Sequence, residues 1–180
     1  MTIQEIGIGN EPPEDINVIV EVPSGGEPVK YEMDKATGRL IVDRILFTSM
    51  RYPGNYGFVP GTLAEDNDPI DVLVVAHQQF VPASVVNCRP IGVLLMHDEA
   101  GPDEKIVAVP STRVSAIYKG IKDYKDLPEI QLQQIVHFFQ HYKELESSKW
   151  VRVDGWGDAE AARELITKAI DRLTCRNHVA

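Results

Sequence analysis

The sequence predicts an α+β fold with a mainly β core and two longer helices after it. Short segments rich in valine and isoleucine recur between Ile16 and Val109, and proline, glycine and aspartate separate them, as expected for consecutive strands. From Leu127 onward, apolar residues recur at helical spacing instead. Strands grouped before helices are typical of α+β domains, whose sheet is either open or closed into a small barrel.

The first three strands are predicted from β-branched residues and from the turns between them. Residues 16–22 end at a Pro-Ser-Gly-Gly turn, and residues 29–34 alternate apolar and charged side chains. An Ala-Thr-Gly turn then leads into a third strand at 40–47. The segment 51–61 that follows is rich in aromatic residues, proline and glycine, and it is too long for a plain turn.

Three further strands are predicted before the helices begin. Residues 72–76 form an apolar run, and residues 85–96 supply a longer strand that Pro90 and Gly92 interrupt with a bend or bulge. A polar turn separates this strand from the next one, at residues 106–109.

The last third of the chain changes to the helical period. A first helix is predicted to start at Pro128, and a second is capped by Asp158, with a short strand at 150–153 between them. The predicted apolar stripe of the first helix is Ile130, Ile135, Phe138, Phe139, Tyr142 and Leu145. That of the second is Ala162, Leu165, Ile166, Ala169, Ile170 and Leu173.

Composition predicts a single domain, residues 1–180, located in the cytoplasm. A chain of 180 residues with 43% hydrophobic content can bury a real core, and its net charge of −9 argues against a nucleic-acid partner. No apolar run reaches the roughly 18 residues of a membrane span, and residues 1–5 do not resemble a signal peptide. Cys88 and Cys175 are too few for a disulfide framework, which indicates reduced thiols.

The most informative stretch is the run Asp66-Asn67-Asp68-Pro69-Ile70-Asp71-Val72. Asp66 and Asp68 stand two apart, so an extended segment would point them the same way, and Pro69 places them in a loop before a strand. Two carboxylates about 4 Å apart repel by roughly 4 kcal/mol at an effective dielectric near 20. Such a loop requires a bound cation, a raised pKa or plain solvation, and a solvated acidic turn remains the alternative.

The available ligands favour hard cations. Oxygen ligands without a Cys or His cluster suit Mg²⁺, Mn²⁺ or Ca²⁺ better than Zn²⁺ or Cu²⁺. A calcium EF-hand is excluded because Asp71 stands where that loop needs glycine and Pro69 stands at its fourth position. His137 and His141 have helical i, i+4 spacing, but Phe138 replaces the glutamate of a zinc protease helix, so an interface role is favoured.

Cationic residues stand among the acids at Lys30, Arg44, Lys105 and Lys143. Taken singly, Arg44 suits the outer face of a half-exposed strand, and Lys30 suits a surface ion pair with Glu32. Together with the acids they suit phosphoryl chemistry, because metal ions held by carboxylates clamp phosphate oxygens and activate water. The lysine and arginine side chains then neutralise the remaining phosphate charge.

These residues resemble the soluble family I inorganic pyrophosphatases of the compact bacterial type. The aspartate run looks like the family signature, and further matches follow in family order from residue 16 to about 156. They are Glu21, Lys30-Tyr31-Glu32, Arg44, Tyr52-Pro53-Gly54-Asn55-Tyr56-Gly57-Phe58, Asp98-Glu99, Asp103-Glu104-Lys105 and Tyr142-Lys143.

The resemblance implies a small five-stranded OB-like closed barrel with the two helices packed outside. It implies hydrolysis of inorganic diphosphate to two orthophosphates with three or four Mg²⁺ per site, for which Mn²⁺ or Zn²⁺ could substitute. It also implies a homohexamer built as a dimer of trimers. Neither a nucleic acid nor a membrane is expected as a partner.

The resemblance also assigns roles to single residues. It implies the metal ligands Asp66, Asp71, Asp98, Asp103 and Glu32. Asp71 would bridge two metals that hold the attacking water, and Asp68 would be the general base. The implied phosphate contacts are Lys30, Arg44, Tyr56, Lys105, Tyr142 and Lys143, with Tyr56 also counted as catalytic. Glu21 would support the site at its rim, with Tyr52 and Glu99 close by.

Two alternatives from other classes remain open at this point. One is an OB-like binding module for nucleic acid or oligosaccharide, and the other is a protein that binds divalent cations without catalysis. Both share the predicted fold, so phosphate release from diphosphate is the observation that separates them from an enzyme.

Overall fold

The structure, a computed structural model, describes residues 5–179, without the side chains of Asn177 and Val179. Most of the segment on which the absence of a signal peptide was predicted lies outside this range. Among residues 5–179, no helix is long and apolar enough to cross a membrane.

Strands dominate the part of the chain before residue 111, as the sequence predicts. The strands are β1 (Ile16–Val22), β2 (Val29–Met33), β3 (Leu40–Ile45), β4 (Asn55–Phe58), β5 (Asp71–Val74), β6 (Val85–Asp98), β7 (Gly101–Pro102), β8 (Lys105–Pro110) and β9 (Val151–Gly157). The α-helices are α1 (Glu129–His141) and α2 (Ala159–Val179). Short 3-10 helices at Ala116–Gly120 and Tyr124–Asp126 lead from β8 towards α1.

Five of these strands close into a ring, which confirms the predicted small barrel. The ring runs β1-β4-β5-β8-β6 and returns to β1 through a second pairing of β1 with β6. Only the β5–β8 pair is parallel, and the other pairs of the ring are antiparallel. The long strand β6 also pairs with β9, while β2 and β3 form a separate two-stranded hairpin.

The strands of the ring are buried on both faces, and β5 shows the pattern clearly. Leu73 belongs to the hydrophobic cluster that contains Phe138 and Phe139 of α1. Val72 and Val74 point the other way, into the cluster that contains Ile166 of α2. A strand covered on both faces reads as a continuous apolar run, which is how residues 72–76 appear in the sequence.

Several local predictions are confirmed. The first strand has the predicted bounds, and the pairing of β6 with β8 shifts register between Pro90 and Gly92, where a bend or bulge was expected. Asp158 caps α2, since its Oδ1 accepts a hydrogen bond from Ala161 N at 2.9 Å.

Other predictions were wrong in their bounds. The third strand ends at Ile45 and the last strand continues to Gly157. Helix α1 ends at His141, so the predicted apolar stripe is too long: Ile130 is 63% exposed, and Leu145 lies beyond the helix and is 61% exposed. The apolar spacing in the sequence continues beyond the end of the helix, whereas the chain forms a turn from Tyr142 onward.

Strand β4 was not identified from the sequence, although it closes the ring. Its residues Asn55–Phe58 are all buried, and they lie between β1 and β5. A β-carbon added to Gly57 would lie 1.9 Å from the carbonyl oxygen of Ile19, so only glycine allows β1 to approach this closely. Because proline and glycine usually indicate loops, the pattern of segment 51–61 did not predict this short central strand.

Candidate active site

One cavity of about 300 Å³ contains the candidate site. Every residue that the sequence assigned to the site lines this cavity: Glu21, Lys30, Glu32, Arg44, Tyr52, Tyr56, Asp66, Asp68, Asp71, Asp98, Glu99, Asp103, Lys105, Tyr142 and Lys143. The acids predicted from distant segments therefore share one space.

The lining side chains come from the ring and from the segments that surround its mouth. Strand β1 supplies Glu21, the β2–β3 hairpin supplies Lys30 and Arg44, and β4 supplies Tyr56. The remaining groups come from the loop before β5, from the ends of β6 and β8, and from the chain just after α1. Because the strands meet in a closed ring, residues far apart in sequence converge at one end of it.

The acid loop, residues 66–71, carries three of the carboxylates. It is a loop, as predicted, and a tight one, because Asn67 has a φ of 72°, in the left-handed region. Asp66 Oδ1 accepts a hydrogen bond from Asp68 N at 3.0 Å, and Ala64 N donates to Asp68 O at 2.7 Å. Asp66 and Asp68 thus reach the same cavity through the turn. Strand β5 begins at Asp71, directly after the loop, as predicted.

Lys105 stands between two of the predicted metal ligands. Its Nζ donates to Asp71 Oδ2 at 2.6 Å and to Asp103 Oδ1 at 2.5 Å, and the residue is 2% exposed. Burial lowers the pKa of Lys105, but the charges of Asp71 and Asp103 outweigh burial and raise it above its ordinary value. Burial also raises the pKa of Asp103, although the ammonium opposes this. The ammonium therefore acts as an internal counter-ion.

Lys143 holds a second pair of acids. Its Nζ lies 2.8 Å from Asp98 Oδ2 and 3.6 Å from Glu99 Oε2, and its side chain is 6% exposed. Burial raises the pKa of Asp98, but the hydrogen bonds from Lys143 and Ala100 N and the nearby lysine charges together outweigh burial, so this pKa lies below its ordinary value. Asp98 is therefore ionised at neutral pH.

The β2–β3 hairpin contributes cations to the opposite wall. Lys30 forms an ion pair with Glu32 and lies 3.4 Å from Asp43. Arg44 does not project from an outer face, the alternative that strand pattern favoured, but lines the cavity, with its Nε 3.1 Å from Glu146 Oε1. The hairpin thus adds positive charge that faces the acid loop.

Sequence reasoning missed two further cations on the cavity wall. Lys35 lies in the β2–β3 turn, 3.7 Å from Asp68 Oδ1, and Lys149 lies beyond α1, 3.0 Å from Glu146 Oε2. Both belong to irregular segments, and a lysine in a polar turn carries no pattern that separates it from a solvated one. Only the folding of these turns over the cavity identifies them.

Three tyrosines form an aromatic floor with α1. The ring centroids of Tyr52 and Tyr56 are 5.1 Å apart, and Tyr142 stacks on Phe138 at 5.1 Å. Burial raises the pKa of all three phenols, so they remain protonated and able to donate hydrogen bonds. Tyr142 combines core packing with a place on the cavity wall, which the helical pattern alone could not decide.

Glu21 is buried and does not lie at the rim, where it was expected. It is 5% exposed and accepts a hydrogen bond from Met33 N at 2.7 Å, which ties β1 to the end of β2. Burial raises the pKa of Glu21 from 4.5 to about 7, against the lowering effect of that hydrogen bond.

The donor set suits hard divalent cations, although side chains now occupy the positions between the acids. Among residues 5–179, no three Asp, Glu, His or Cys side chains stand close enough together to hold an ion as they are. The reason is visible at Lys105, whose ammonium fills the space between Asp71 and Asp103. The carboxylates offer only oxygen and share one cavity, so the residues fit a hard ion that displaces the ammonium.

Comparisons with known proteins point to one protein family. A family model described as inorganic pyrophosphatase matches residues 18–174. The inorganic pyrophosphatase of Brucella melitensis is 60% identical over 172 residues, which cover 96% of this chain and 98% of that protein. A solved structure described as an inorganic phosphatase from Anaplasma phagocytophilum has a TM-score of 0.93 at 50% identity, covering 94% of this chain and 99% of the other. The inorganic pyrophosphatase of Thermus thermophilus has a TM-score of 0.91 at 41% identity, covering 97% and 99%.

Proposed function

The chain belongs to the inorganic pyrophosphatase family, whose members hydrolyse diphosphate to phosphate, and we propose that it does so in the cavity lined by the acid loop. The family implies a divalent metal cofactor, and we propose Mg²⁺, three to four ions per site, with Mn²⁺ or Zn²⁺ as substitutes. The observation that carries the proposal is the convergence of acids and cations from distant segments on one cavity of about 300 Å³.

The cations of the cavity prepare it for a highly charged anion. Diphosphate carries roughly three to four negative charges near neutral pH, so an acidic cavity alone would repel it. Lys30 and Arg44 on the hairpin and Lys143 beyond α1 face the cavity and are positioned to neutralise phosphate oxygens. The protonated phenols of Tyr56 and Tyr142 add neutral hydrogen-bond donors. These cations and neutral donors on the cavity wall would therefore bind the oxygens of diphosphate.

Metal ions would complete this arrangement. Asp66, Asp71, Asp98, Asp103 and Glu32 would hold them, and bound Mg²⁺ would supply charge neutralisation and a water of lowered pKa. Lys105 lies beside Asp71 and Asp103, and its ammonium would be available to a phosphate oxygen where a metal ion neutralises these acids.

Asp68 is suited to take the proton of the attacking water. Its side chain is 70% exposed at the cavity, and its nearest ion-pair partner, Lys35, is 3.7 Å away. Asp71, by contrast, is held at 2.6 Å by Lys105 at the base of the loop. We assign Asp68 as general base and Asp71 as metal ligand on this difference of accessibility.

Phosphate release from diphosphate tests the proposal directly. The purified protein is stripped of metal with EDTA and assayed with and without added Mg²⁺, with ATP as the control substrate. We expect release from diphosphate only with the metal, and much slower release from ATP. Cation binding without phosphate release would instead indicate a binding protein without catalysis.

Assembly, domain organisation and location are also proposals. We propose a homohexamer. It is supported by apolar side chains on and beside β3 that are exposed to water in the monomer and that a subunit contact would bury. They are Ile41, Val42, Ile45 and Phe47, 48% to 69% exposed. We further propose that residues 1–180 form one domain, and that the protein works in the cytoplasm, consistent with two free cysteines.

A further inference from the structure

Leu63, just before the acid loop, is hydrogen-bonded to helix α2 through both of its backbone groups. Its N–H donates to the carbonyl oxygen of Ala169 at 3.1 Å. Its own carbonyl oxygen accepts from Nη1 of Arg172 at 2.7 Å. Both backbone groups of Leu63, a residue only 6% exposed, are therefore bound by the same helix.

From Leu63 the chain leads directly into the metal-binding turn. Ala64 N donates to Asp68 O at 2.7 Å, so the residue after the attachment point is bonded to the candidate base. On the far side of the loop, Ile70 N donates to Thr62 Oγ1 at 3.0 Å, and Thr62 Oγ1 donates to Val59 O at 2.7 Å. A displacement of residue 63 would therefore also move the carboxylates of the loop, because hydrogen bonds connect both sides of the loop to the neighbours of Leu63.

Packing between the acid loop and α2 is incomplete. A cavity of about 130 Å³ lies between them, and Arg172 lines it together with Asp66, Asp71 and Asp103. Ile70 does pack in the hydrophobic cluster of Ile166, so the position of the loop depends on its hydrogen bonds as well as on packing. The guanidinium of Arg172 supplies the charge-assisted one.

We propose that Arg172 is a positioning residue for the metal site: it holds Leu63, and through Leu63 the acid loop, in the position that binds divalent cations. This inference rests on the proposed function. Among the described residues, the hydrogen bonds of the Arg172 guanidinium go to Leu63 O and to Glu65, and neither residue lines the substrate cavity, so Arg172 acts on the loop through the backbone of Leu63. Groups that orient metal ligands from outside influence metal affinity although they touch no metal.

Attachment of α2 to the ring does not require Arg172. That attachment comes from Ala162, Ile166 and Ala169, which are 0% to 2% exposed. The second contact of Arg172, with Glu65 at 3.4 Å, joins side chains that are 37% and 66% exposed, and such pairs are weak. Of the two contacts, the hydrogen bond from Arg172 to Leu63 O is the one that we expect to affect the position of the acid loop.

The test compares Mn²⁺ binding by metal-stripped proteins, measured from the EPR signal of free Mn²⁺. The variants are Arg172→Gln, which lacks the charged donor, and Arg172→Lys, which retains one. The matched control is Arg163→Gln on the same helix, since the ion pair of Arg163 within residues 5–179 is with Glu160, at 2.6 Å, away from the loop. Circular dichroism selects a temperature at which each variant is folded.

We expect Arg172→Gln to weaken Mn²⁺ binding about 10-fold, the size seen when outer partners of metal ligands are removed. Arg172→Lys should fall between this variant and the wild type, and Arg163→Gln should bind as the wild type does. The Mg²⁺ concentration for half-maximal phosphate release should rise in the same order.

Unchanged Mn²⁺ affinity in folded Arg172→Gln, or an equal loss in Arg163→Gln, would overturn the inference while leaving the proposed function intact. If Arg172→Gln does not fold, Arg172→Lys decides: weakened binding supports the positioning role, and wild-type binding rejects it. A wild-type protein that binds no Mn²⁺ would contradict the proposed metal site itself.

Discussion

At the scale of single residues, Lys105 explains how two acids lie close together in one cavity. Asp71 and Asp103 would repel each other if left alone, and the ammonium between them removes that repulsion. A divalent cation held by these carboxylates would offset the same repulsion.

Replacing single acids of the loop should separate catalysis from folding. We expect Asp68→Asn and Asp71→Asn each to lower turnover by about 10²-fold or more, because a neutral amide would be a poor proton acceptor in the role proposed for Asp68 and a weak metal ligand in that proposed for Asp71. Steady-state phosphate release and thermal unfolding, measured on the same samples, should show lost activity with retained fold. Glu160→Gln, an exposed acid on α2, serves as control. Near-wild-type release by Asp71→Asn would contradict its role with two metals.

Glu21 should make the stability of the metal-free protein depend on pH. Its pKa is raised from 4.5 to about 7 by burial, so the folded state favours the protonated form. This group stabilises the fold below pH 4.5 relative to higher pH, and that stabilisation is lost as the pH rises through 7. A shift of this size corresponds to roughly 3 kcal/mol.

The variant Glu21→Gln isolates this effect, since an amide has no charge to bury but can still accept from Met33 N. In urea unfolding with EDTA, we expect the free energy of unfolding of Glu21→Gln, relative to that of the wild type, to increase by up to roughly 3 kcal/mol between pH 4.5 and 8. If the difference in the free energy of unfolding between the two proteins stays constant over this pH range, the pKa of Glu21 is not raised in the folded state.

At the scale of elements, the closure of the ring depends on the contact between β1 and β4. Both carry side chains of the candidate site, Glu21 on β1 and Tyr56 on β4. Their separation is set where Gly57 meets the backbone of Ile19. A change that pushes these strands apart should therefore disturb both the core and the site.

Gly57→Ala tests this contact. An added β-carbon 1.9 Å from a carbonyl oxygen cannot be accommodated without moving the backbone, and overpacking of this kind costs about 1–3 kcal/mol or more. We expect a matching loss in the free energy of unfolding by urea. Gly120→Ala is the control, because no atom lies within 4 Å of its added carbon. Equal stability of the two variants would mean that β1 and β4 tolerate a wider spacing.

At the scale of the whole molecule, the histidine pair on α1 is our candidate for a pH-dependent subunit contact. His137 and His141 lie one turn apart with ring centroids at 4.5 Å, and His141 Nδ1 is 3.0 Å from Glu144 Oε2. His137 also borders a shallow surface pocket with Ile130, which is largely exposed. The sequence suggested this histidine pair as part of a subunit contact, and its exposed position is compatible with that role.

Oligomer size should then change with pH, since histidine side chains alter their charge between pH 5 and 8. We expect sedimentation velocity to show a smaller assembly at pH 5 than at pH 8. The double variant His137→Gln and His141→Gln should lose this dependence, whereas His178→Gln on α2 should keep it. One unchanged species for the wild type across this range would remove the hypothesis.

The predictable part of the fold is the part that depends on neighbours in sequence. β1, the bulge in β6, the cap of α2 and the acid loop before β5 all follow from short-range patterns and from the backbone preferences of proline, glycine and aspartate. The residue types of the site were likewise readable, because hard oxygen ligands beside lysine and arginine have few chemical uses.

The sequence by itself determined which side chains were candidates for the site, while only the tertiary structure decided how they lie relative to one another. Strand β4 within segment 51–61, Lys105 between Asp71 and Asp103, and the hold of Arg172 on Leu63 were not readable from local patterns. The physical reason is that each depends on a contact between segments distant in the chain. Such contacts form only when the ring closes and α2 packs against it.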